Sequence, residues 1–257
     1  MAATTWLGLL IGNTQLHWGY FEGDALVAQW HQPHMSLHQP PTSQPDTPQP
    51  DAIATLPPPY RALAHQQQLW IASVVPAQTA YWRPYSQEPI TLEQIPIQGA
   101  YPTFGIDRAL ALWGAGQRWG FPVLVVDGGT ALTYTGADSG QTLVGGAILP
   151  GLGLQLRSLH QGTAQLPAVA LSGQVARWAL TTEEAIWSGV FHSAIAGAES
   201  FIGHWRQRFP GSPVVFTGGD GERLYQNLSP KMRAGCYYEA NLGLWGLQHV
   251  RVSLVAR

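Results

Sequence analysis

The sequence predicts an α/β protein with two related halves that face a cleft, and three glycine turns support this prediction. A strand, a turn and a second strand occur around Gly12, and the same pattern recurs around Gly128. A third turn follows an apolar run at Gly218. Each turn has a threonine close to its glycines, and such turns let the backbone approach a bound anion closely. Gly-Thr hairpins are also common elsewhere, so the repeat alone leaves that simpler interpretation open.

The first half is predicted to consist mainly of strands. Apolar and alternating runs place them at residues 5–11, 15–21, 25–30, 69–76 and 90–97. The stretch at 32–60 is rich in Pro and Gln, which predicts an exposed, irregular insertion rather than core. His31, His34 and His38 lie at its start. We do not favour a zinc site there, because these histidines would need a rigid scaffold and further ligands.

The second half alternates strands with helices. Strands are predicted on both sides of the glycine turn within 123–136, at 142–149, and at the start of 213–224, where a glycine turn and a helix start follow. Helices are predicted at 106–119, 153–160, 182–204 and, as a short helix, within 237–250. We therefore divide the chain into a first half, 1–104, and a second half, 105–257.

Composition restricts the classes of function. The chain has 257 residues, of which 45% are apolar and 11% charged, and a net charge of −2. This allows a substantial core but gives no basic field to recruit nucleic acid. The single cysteine, Cys236, excludes an internal disulfide and fits a reducing compartment. No apolar run approaches the ~18 residues of a membrane span, and no basic signal-peptide region is present. We expect a soluble, cytoplasmic protein that binds neither nucleic acid nor membranes.

Lysine is the most informative rare residue. It occurs once, as Lys231. A Walker A loop needs Gly-Lys-Ser/Thr, and protein kinases need a lysine on a strand, so both kinds of phosphate site are excluded. If the chain handles nucleotide phosphates, it does so with glycine turns, hydroxyls and arginine.

Two acids are better candidates for chemistry than the other aspartates, most of which lie beside turn residues. Asp127 ends the apolar strand VLVV, and the carboxyl ends of strands are where α/β sheets bind ligands. Asp107 lies in GIDR at the predicted first turn of a helix, where an acid can equally well cap the helix. The adjacent Arg108 could pair with a substrate carboxylate or form only an internal salt bridge.

Six motifs occur in an order that resembles a known family. They are GNT at 12–14, GIDR at 105–108, DGGTALT at 127–133, GGAILPG at 145–151, TTEEAIWSG at 181–189 and TGGD at 217–220. In this order they resemble the type III pantothenate kinases, which belong to the acetate and sugar kinase/Hsp70/actin superfamily. The resemblance covers nearly the whole chain outside the insertion. The HWG sequence after the first turn resembles the cyanobacterial branch.

The resemblance implies a fold, an activity and cofactors. It implies two actin-like (ribonuclease H-like) halves with mixed sheets flanking a nucleotide cleft. The implied activity is transfer of the γ-phosphate of ATP to the primary hydroxyl of pantothenate, the first step of coenzyme A biosynthesis. The implied cofactors are Mg²⁺ and a monovalent cation, K⁺ or NH₄⁺, and the implied assembly is a homodimer.

The resemblance also implies roles for single residues. Asp107 would be the proton acceptor, and Asp127 would bind the monovalent cation. Pantothenate would be bound by residues of two motifs and a tyrosine upstream of them: Tyr101, Gly105, Ile106, Arg108 and Thr182. The spacing from Tyr101 to GIDR is shorter than in the family. ATP would be bound by the first hairpin and the second turn: Leu10, Ile11, Gly12, Asn13, Thr14, Gln15, Leu16, His17 and Thr130.

Three positions depart from the family pattern. Leu10 stands where the first turn usually has an acid, His17 where a lysine often closes the hairpin, and Thr135 where an acid often follows GTAxT. Leucine cannot help to hold hydrated Mg²⁺, whose ligands are oxygens. Either ATP phosphates and water hold the metal, with Asp127 or Asp107 contacting that water, or the chain is a weakened relative. We favour the first explanation because the other motifs persist.

Two other functions stay open. A non-catalytic nucleotide-binding or regulatory protein on the same fold is supported by Leu10 and opposed by the intact Asp107–Arg108 pair. A kinase or phosphatase with another substrate is not excluded by fold alone. The combination of GIDR and TTEEAIWSG favours pantothenate over such a substrate.

Overall fold

The computed structural model describes residues 4–35, 52–171, 173 and 176–256. The chain forms two compact units. The first unit comprises Met1–Ile95, Thr103–Leu110 and Gly243–Arg257, and the second comprises Pro96–Pro102 and Ala111–Leu242. Within the described residues, none of the helices combines the length and the hydrophobicity that a membrane crossing requires.

The first unit contains a four-stranded mixed sheet in the order β3-β2-β1-β4. Its strands are β1 Thr5–Ile11, β2 Gln15–Glu22, β3 Ala25–Pro33 and β4 Leu69–Ser73. Its short helices are α1 Pro58–His65 and α2 Pro76–Trp82, with 3-10 turns at Ala52–Thr55, Arg83–Tyr85 and Leu92–Gln94. β1 to β3 form an antiparallel meander, and β4 pairs with β1 in parallel. The predicted strands at 5–11, 15–21 and 25–30 are confirmed, and the strand predicted at 69–76 is confirmed as far as Ser73.

The second unit contains a five-stranded mixed sheet in the order β7-β6-β5-β8-β9. Its strands are β5 Val123–Gly128, β6 Ala131–Ala137, β7 Leu143–Pro150, β8 Val214–Thr217 and β9 Cys236–Tyr238. Its helices include α4 Leu152–Gln161, α5 Thr182–Arg208, α6 Gly221–Gln226 and α7 Pro230–Arg233, while α3 Ile106–Trp119 runs through both units.

The two sheets repeat one pattern, as the sequence predicts. In each, a three-stranded antiparallel meander places its first strand beside a later, parallel strand. β5 is buried along VLVV and emerges at Asp127, which is partly exposed. β1 is likewise buried along its centre and leads into the turn at Gly12. The repeated hairpin is therefore a real structural repeat.

The C-terminal helix α8, Leu242–Val255, belongs mainly to the first unit. A Cβ atom placed on Gly8 would lie 3.1 Å from Leu247, and one placed on Gly19 would lie 3.1 Å from Leu244, so α8 packs directly on β1 and β2. The prediction of a short helix within 237–250 was wrong at its start, where Cys236–Tyr238 pairs with β8 as a strand. The compact units also differ from the predicted division at residue 104, because this hydrophobic packing joins the end of the chain to the first sheet.

Two predictions in the first half need correction. Residues 90–97 do not form a strand: Thr91 and Gln94 form a capping box around a 3-10 turn. The isoleucines of this segment are buried without strand pairing. The insertion at 32–60 is also not wholly outside the core, because Ile53 and Leu56 are each only 1% exposed. Residues 36–51 of the insertion, including His38, lie outside the described residues.

Candidate functional site

The first turn joins β1 to β2 and presents a short run of exposed backbone. The Gly12 N–H donates to the Gln15 carbonyl at 3.1 Å, which closes the hairpin. Asn13 and Thr14 are exposed at its tip. The side chains of Ile11 and Leu16, which flank the turn, are buried in the core. These two residues can therefore reach a ligand only through their main chain.

The half-buried Leu10 side chain lies against α8. A Cβ atom placed on Gly243, in the first turn of α8, would lie 2.7 Å from Leu10 Cδ1. The Leu10 side chain therefore fills the space beside this glycine. An apolar side chain in this place supplies no oxygen for a metal ion. The first turn accordingly contributes no carboxylate to the candidate site.

His17 lies opposite Leu10 in the β1–β2 register and beside His31 of β3. The two imidazole rings meet edge to face, with centroids 4.5 Å apart. Burial, with a smaller contribution from His31, lowers the pKa of His17 to about 4. His17 is therefore neutral near pH 7 and cannot replace the positive charge of the lysine that often stands in this position.

GIDR forms the start of α3 in the first unit. The Asp107 carboxylate accepts a hydrogen bond at 2.8 Å through Oδ1 from the backbone N–H of Arg108. A Cβ atom on Gly105 would lie 2.5 Å from the same oxygen, so glycine at this position leaves room for the carboxylate in its present rotamer. The other carboxylate oxygen can serve a second function. Asp107 thus combines a helix-start hydrogen bond with a capacity to accept a proton.

Arg108 is unusually buried for an arginine, with 8% of its surface exposed. Its guanidinium lies over the Phe104 ring, 4.9 Å from the centroid. Ile106, two residues earlier in the motif, is also buried. A cation–π contact of this kind limits the freedom of the guanidinium, whose planar donors can pair with a carboxylate.

Asp127 stands at the end of β5, beside two glycine turns of the second unit. Gly218 has a φ of +83°, and a Cβ atom there would overlap Asp127 Oδ1 and the Gly128 backbone. The Asp220 N–H donates to the Gly128 carbonyl at 2.8 Å. The TGGD turn and the DGGT turn are therefore in contact. The structure brings together these two predicted turns, as parallel pairing of β5 with β8 requires.

Asp220 is a residue of this site to which the sequence reasoning gave no role. Burial raises its pKa, and Arg223 at 3.5 Å partly opposes that shift. Its position beside Gly128 follows from the contact between the two turns. The signal was available in the sequence, because TGGD follows a buried strand as DGGT does.

Thr130 is fixed by the start of α4. The Gly151 N–H donates to the Thr130 carbonyl at 3.0 Å, and a Cβ atom on Gly151 would overlap the Gly129 carbonyl oxygen. GGAILPG therefore ends in a glycine because the second turn approaches it closely. This contact holds the turn that presents the Thr130 hydroxyl.

Two predicted substrate residues lie on exposed parts of the second unit. Thr182 is the first residue of α5 and is exposed, while Thr181 caps the helix by accepting from the Glu184 N–H at 3.3 Å. Tyr101 is 43% exposed. Both side chains are accessible to a ligand, and their roles stay predictions.

A cavity of about 740 Å³ lies beyond β4 in the first unit. The Ser73 hydroxyl accepts from the Val75 N–H at 3.0 Å, and the Thr79 hydroxyl donates to the Val75 carbonyl at 3.1 Å. The two hydroxyl groups that line the cavity are therefore already engaged in hydrogen bonds within the same segment. Its described lining is Ser73, Val74, Pro76, Thr79, Ala80, Arg83 and Pro84. The predicted substrate residues are not among them.

Solved structures define the class of fold. The chain superposes with a TM-score of 0.63 on a Campylobacter jejuni protein described as a Baf family transcriptional activator, at 18% identity, covering 98% of this chain and 100% of that one. It superposes with a TM-score of 0.55 on component A of the (R)-2-hydroxyglutaryl-CoA dehydratase of Acidaminococcus fermentans, at 11% identity, covering 99% and 100%. At these identities the likeness concerns the fold alone. The two repeated mixed sheets place the chain in the actin-like class.

Sequence comparison then identifies the family within that class. The family model for type III pantothenate kinases matches residues 6–204. The type III pantothenate kinase of Nostoc sp. strain PCC 7120 is 47% identical over 95% of this chain and 94% of its own length. That of Gloeobacter violaceus is 39% identical over 94% and 96%. The chain belongs to the type III pantothenate kinase family. These relatives are cyanobacterial, which confirms the branch that the HWG sequence indicated.

Proposed function

We propose that the protein transfers the γ-phosphate of ATP to the primary hydroxyl of pantothenate, giving 4′-phosphopantothenate and ADP, the first step of coenzyme A biosynthesis. The observation that carries the proposal is the Asp107–Arg108 pair at the start of α3, in a chain of this family. Pantothenate has both a hydroxyl to deprotonate and a carboxylate to bind. The pair provides a base for the one and a planar cation for the other.

Asp107 acts as the proton acceptor in this proposal. The hydroxyl oxygen attacks the γ-phosphorus, the bond to the β–γ bridging oxygen breaks, and the hydroxyl proton passes to the Asp107 carboxylate. Phosphoryl transfer needs positioning and charge stabilisation more than covalent catalysis. Arg108 would hold the substrate carboxylate, and the cation–π contact of its guanidinium with Phe104 supports that role. Gly105, Ile106, Tyr101 and Thr182 would complete the pantothenate site.

ATP would be bound by backbone groups and hydroxyls. The hairpin from Leu10 to His17 would contact its phosphates at the exposed tip, residues 13–15, and the Thr130 hydroxyl would donate to them. The neutral His17 would act by shape and hydrogen bonding rather than by charge. This arrangement agrees with a chain that contains a single lysine.

The described residues do not offer a site for a Mg²⁺ ion bound by protein side chains alone. They contain no group of three or more His, Cys, Asp or Glu able to hold a metal ion. Mg²⁺ retains several waters and is commonly bound through substrate phosphates with one or two carboxylates. We propose that ATP phosphates would hold Mg²⁺, that this cation would neutralise negative charge on them, and that the Asp127 carboxylate would hold K⁺ or NH₄⁺.

Asp127→Ala is expected to abolish the activation by K⁺, because it removes the proposed anionic oxygen ligand from the end of β5. The measurement is initial rate against K⁺ concentration at constant ionic strength, with Na⁺ as the replacement ion. Asp138→Ala is the control, since Asp138 is a turn acid whose Oδ1 accepts from the Gly140 N–H at 2.9 Å. An unchanged K⁺ dependence in Asp127→Ala would count against this ligand.

Leu10→Asp is expected to leave the half-maximal Mg²⁺ concentration unchanged within about twofold, because the side chain at this position faces Gly243. Activity is titrated with Mg²⁺ at fixed ATP. Leu10→Asn serves as the matched control, since it has the same shape without the charge. A clear fall in the Mg²⁺ requirement for the Asp variant alone would mean that position 10 does reach the metal.

A non-catalytic nucleotide-binding protein is the second candidate, and the packing of Leu10 against α8 favours it. ADP release in the presence of ATP, pantothenate and Mg²⁺ distinguishes the two functions, measured with K⁺ and then with Na⁺. Turnover that requires pantothenate supports the kinase. No turnover with K⁺ and Mg²⁺ present, in a protein that binds ATP, would leave the regulatory function.

A homodimer in the cytoplasm is part of the proposal. Along α5, Ile186 and Val190 are core residues, while Ala185, Gly189 and Ser193 are exposed small residues on the outer side of the helix. Trp178 and Leu180, just before α5, are also strongly exposed. Such a surface would suit close packing against a second copy. Light scattering coupled to gel filtration tests it, and a monomer at micromolar concentration would contradict it.

A further inference from the structure

The carbonyl of Gly12 is held by a histidine from outside the hairpin. His34, which follows β3, places its Nε2 atom 2.7 Å from the Gly12 carbonyl oxygen. A carbonyl can only accept a hydrogen bond, so the proton lies on Nε2 and His34 donates. The bond spans 22 positions of sequence, from the end of the third strand to the turn between the first two.

This bond fixes a peptide plane and not only an atom. The peptide that joins Gly12 to Asn13 is planar and trans, so its C=O and its N–H point in opposite directions. When His34 draws the Gly12 carbonyl to one side, the Asn13 N–H is directed to the other. Asn13 is at the exposed tip of the turn. The histidine therefore orients the amide that the turn presents to a ligand.

His34 is itself held in place through its neighbour. The buried Gln78 of α2, which is 2% exposed, accepts from the Met35 N–H at 3.1 Å and donates to the Met35 carbonyl at 2.9 Å. The side-chain amide of Gln78 thus binds both the N–H and the C=O of Met35. The backbone next to His34 is thus anchored to a helix, which limits the freedom of the imidazole.

We propose that His34 is a positioning residue for nucleotide binding, holding the Gly12–Asn13 peptide so that its N–H meets a phosphate of ATP. This inference rests on the proposed function, which assigns the hairpin to ATP. His34 acts through the turn and does not itself contact the substrate. The role adds to the hairpin a residue from outside its own sequence motif.

The test compares His34→Gln with His34→Leu. The side chains are similar in size, but only glutamine can donate to the Gly12 carbonyl. His34→Leu is expected to raise the KM for ATP roughly fivefold, the scale of one lost hydrogen bond. The kcat and the KM for pantothenate should stay within about twofold of the wild type. His34→Gln is expected to restore most of the ATP affinity. His34→Ala replaces the Leu variant if leucine lowers the melting temperature.

His160→Ala provides the control, because it also removes a contact between an imidazole and a backbone carbonyl, His160 Nδ1 to Leu166 O at 2.8 Å, away from the hairpin. It should not change the KM for ATP. An unchanged KM for ATP in His34→Leu, or an equal rise of both KM values, would overturn the proposal.

Calorimetric titration with ADP separates this proposal from the kinase activity. If the wild type binds ADP but does not turn over pantothenate, the proposed function fails while the ADP affinities of the Leu and Gln variants still test His34. A weaker ADP affinity in His34→Leu, restored in His34→Gln, supports the positioning role. Absence of both ADP binding and pantothenate-dependent turnover in the wild type would overturn both proposals.

Discussion

Asp107→Asn is expected to lower kcat at least ~100-fold while leaving the protein folded. A decrease in kcat of this size is expected when an enzyme loses the general base of a proton transfer. Asparagine keeps an oxygen that can accept from the Arg108 N–H, so the hydrogen bond at the start of α3 survives the change. The substitution therefore separates proton acceptance from helix capping, the two functions that the sequence could not distinguish. Initial rates at saturating ATP and pantothenate, with the melting temperature measured alongside, give the result.

Asp138→Asn is the matched control for this prediction. Asp138 Oδ1 accepts from the Gly140 and Thr142 N–H groups at 2.9 and 3.0 Å, so this acid also stabilises local backbone. Its change to asparagine should leave kcat within about twofold. A near-wild-type kcat in Asp107→Asn would remove Asp107 from the role of base and leave it as a helix cap.

Gly218→Ala is expected to destabilise the protein by about 2–5 kcal/mol. A left-handed backbone at φ +83° costs an L-residue about 1–2 kcal/mol, and forcing a Cβ atom against the Gly128 backbone adds about 1–3 kcal/mol. For a chain of this size the melting temperature should fall by roughly 4–20 °C. The new methyl group also presses on the Asp127 carboxylate, so K⁺ activation should weaken in the protein that remains folded.

Gly219→Ala is the control, because alanine at this neighbouring glycine meets neither a left-handed backbone nor a close atom. A Cβ atom on Gly219 would meet no other atom within 4 Å. Its melting temperature should therefore stay within about 2 °C of the wild type. Equal destabilisation by the two substitutions would mean that loss of glycine flexibility, and not the approach of Gly218 to Asp127, explains the effect.

Several elements could be predicted because their cause is local. Apolar runs bounded by glycine or proline predicted the hairpins around Gly12 and Gly128, and helical spacing predicted α3. The motif order was specific enough to indicate the family. Composition gave the constraint on phosphate binding, because a chain with only Lys231 as lysine must rely on backbone groups and arginine.

Other predictions failed because apolar residues were buried for a reason other than the one that the local pattern indicated. In residues 90–97 the isoleucines alternate because they are buried, while the Thr91 capping box turns the backbone into a 3-10 helix. Ile53 and Leu56 are apolar residues at the edge of a polar tract, and the first core takes them in. Local pattern does not report which apolar residues a distant element will cover.

The sequence by itself determined the repeated sheet pattern, the family and the residue types of the candidate site, since these depend on spacing along the chain. Only the tertiary structure decided how those residues are used. It turned Leu10 toward Gly243, packed the TGGD turn against Gly128, and brought His34 to the Gly12 carbonyl. These contacts join residues far apart in the chain, and they form because the surfaces of helices and turns must fill space together. No periodicity within a segment can report them.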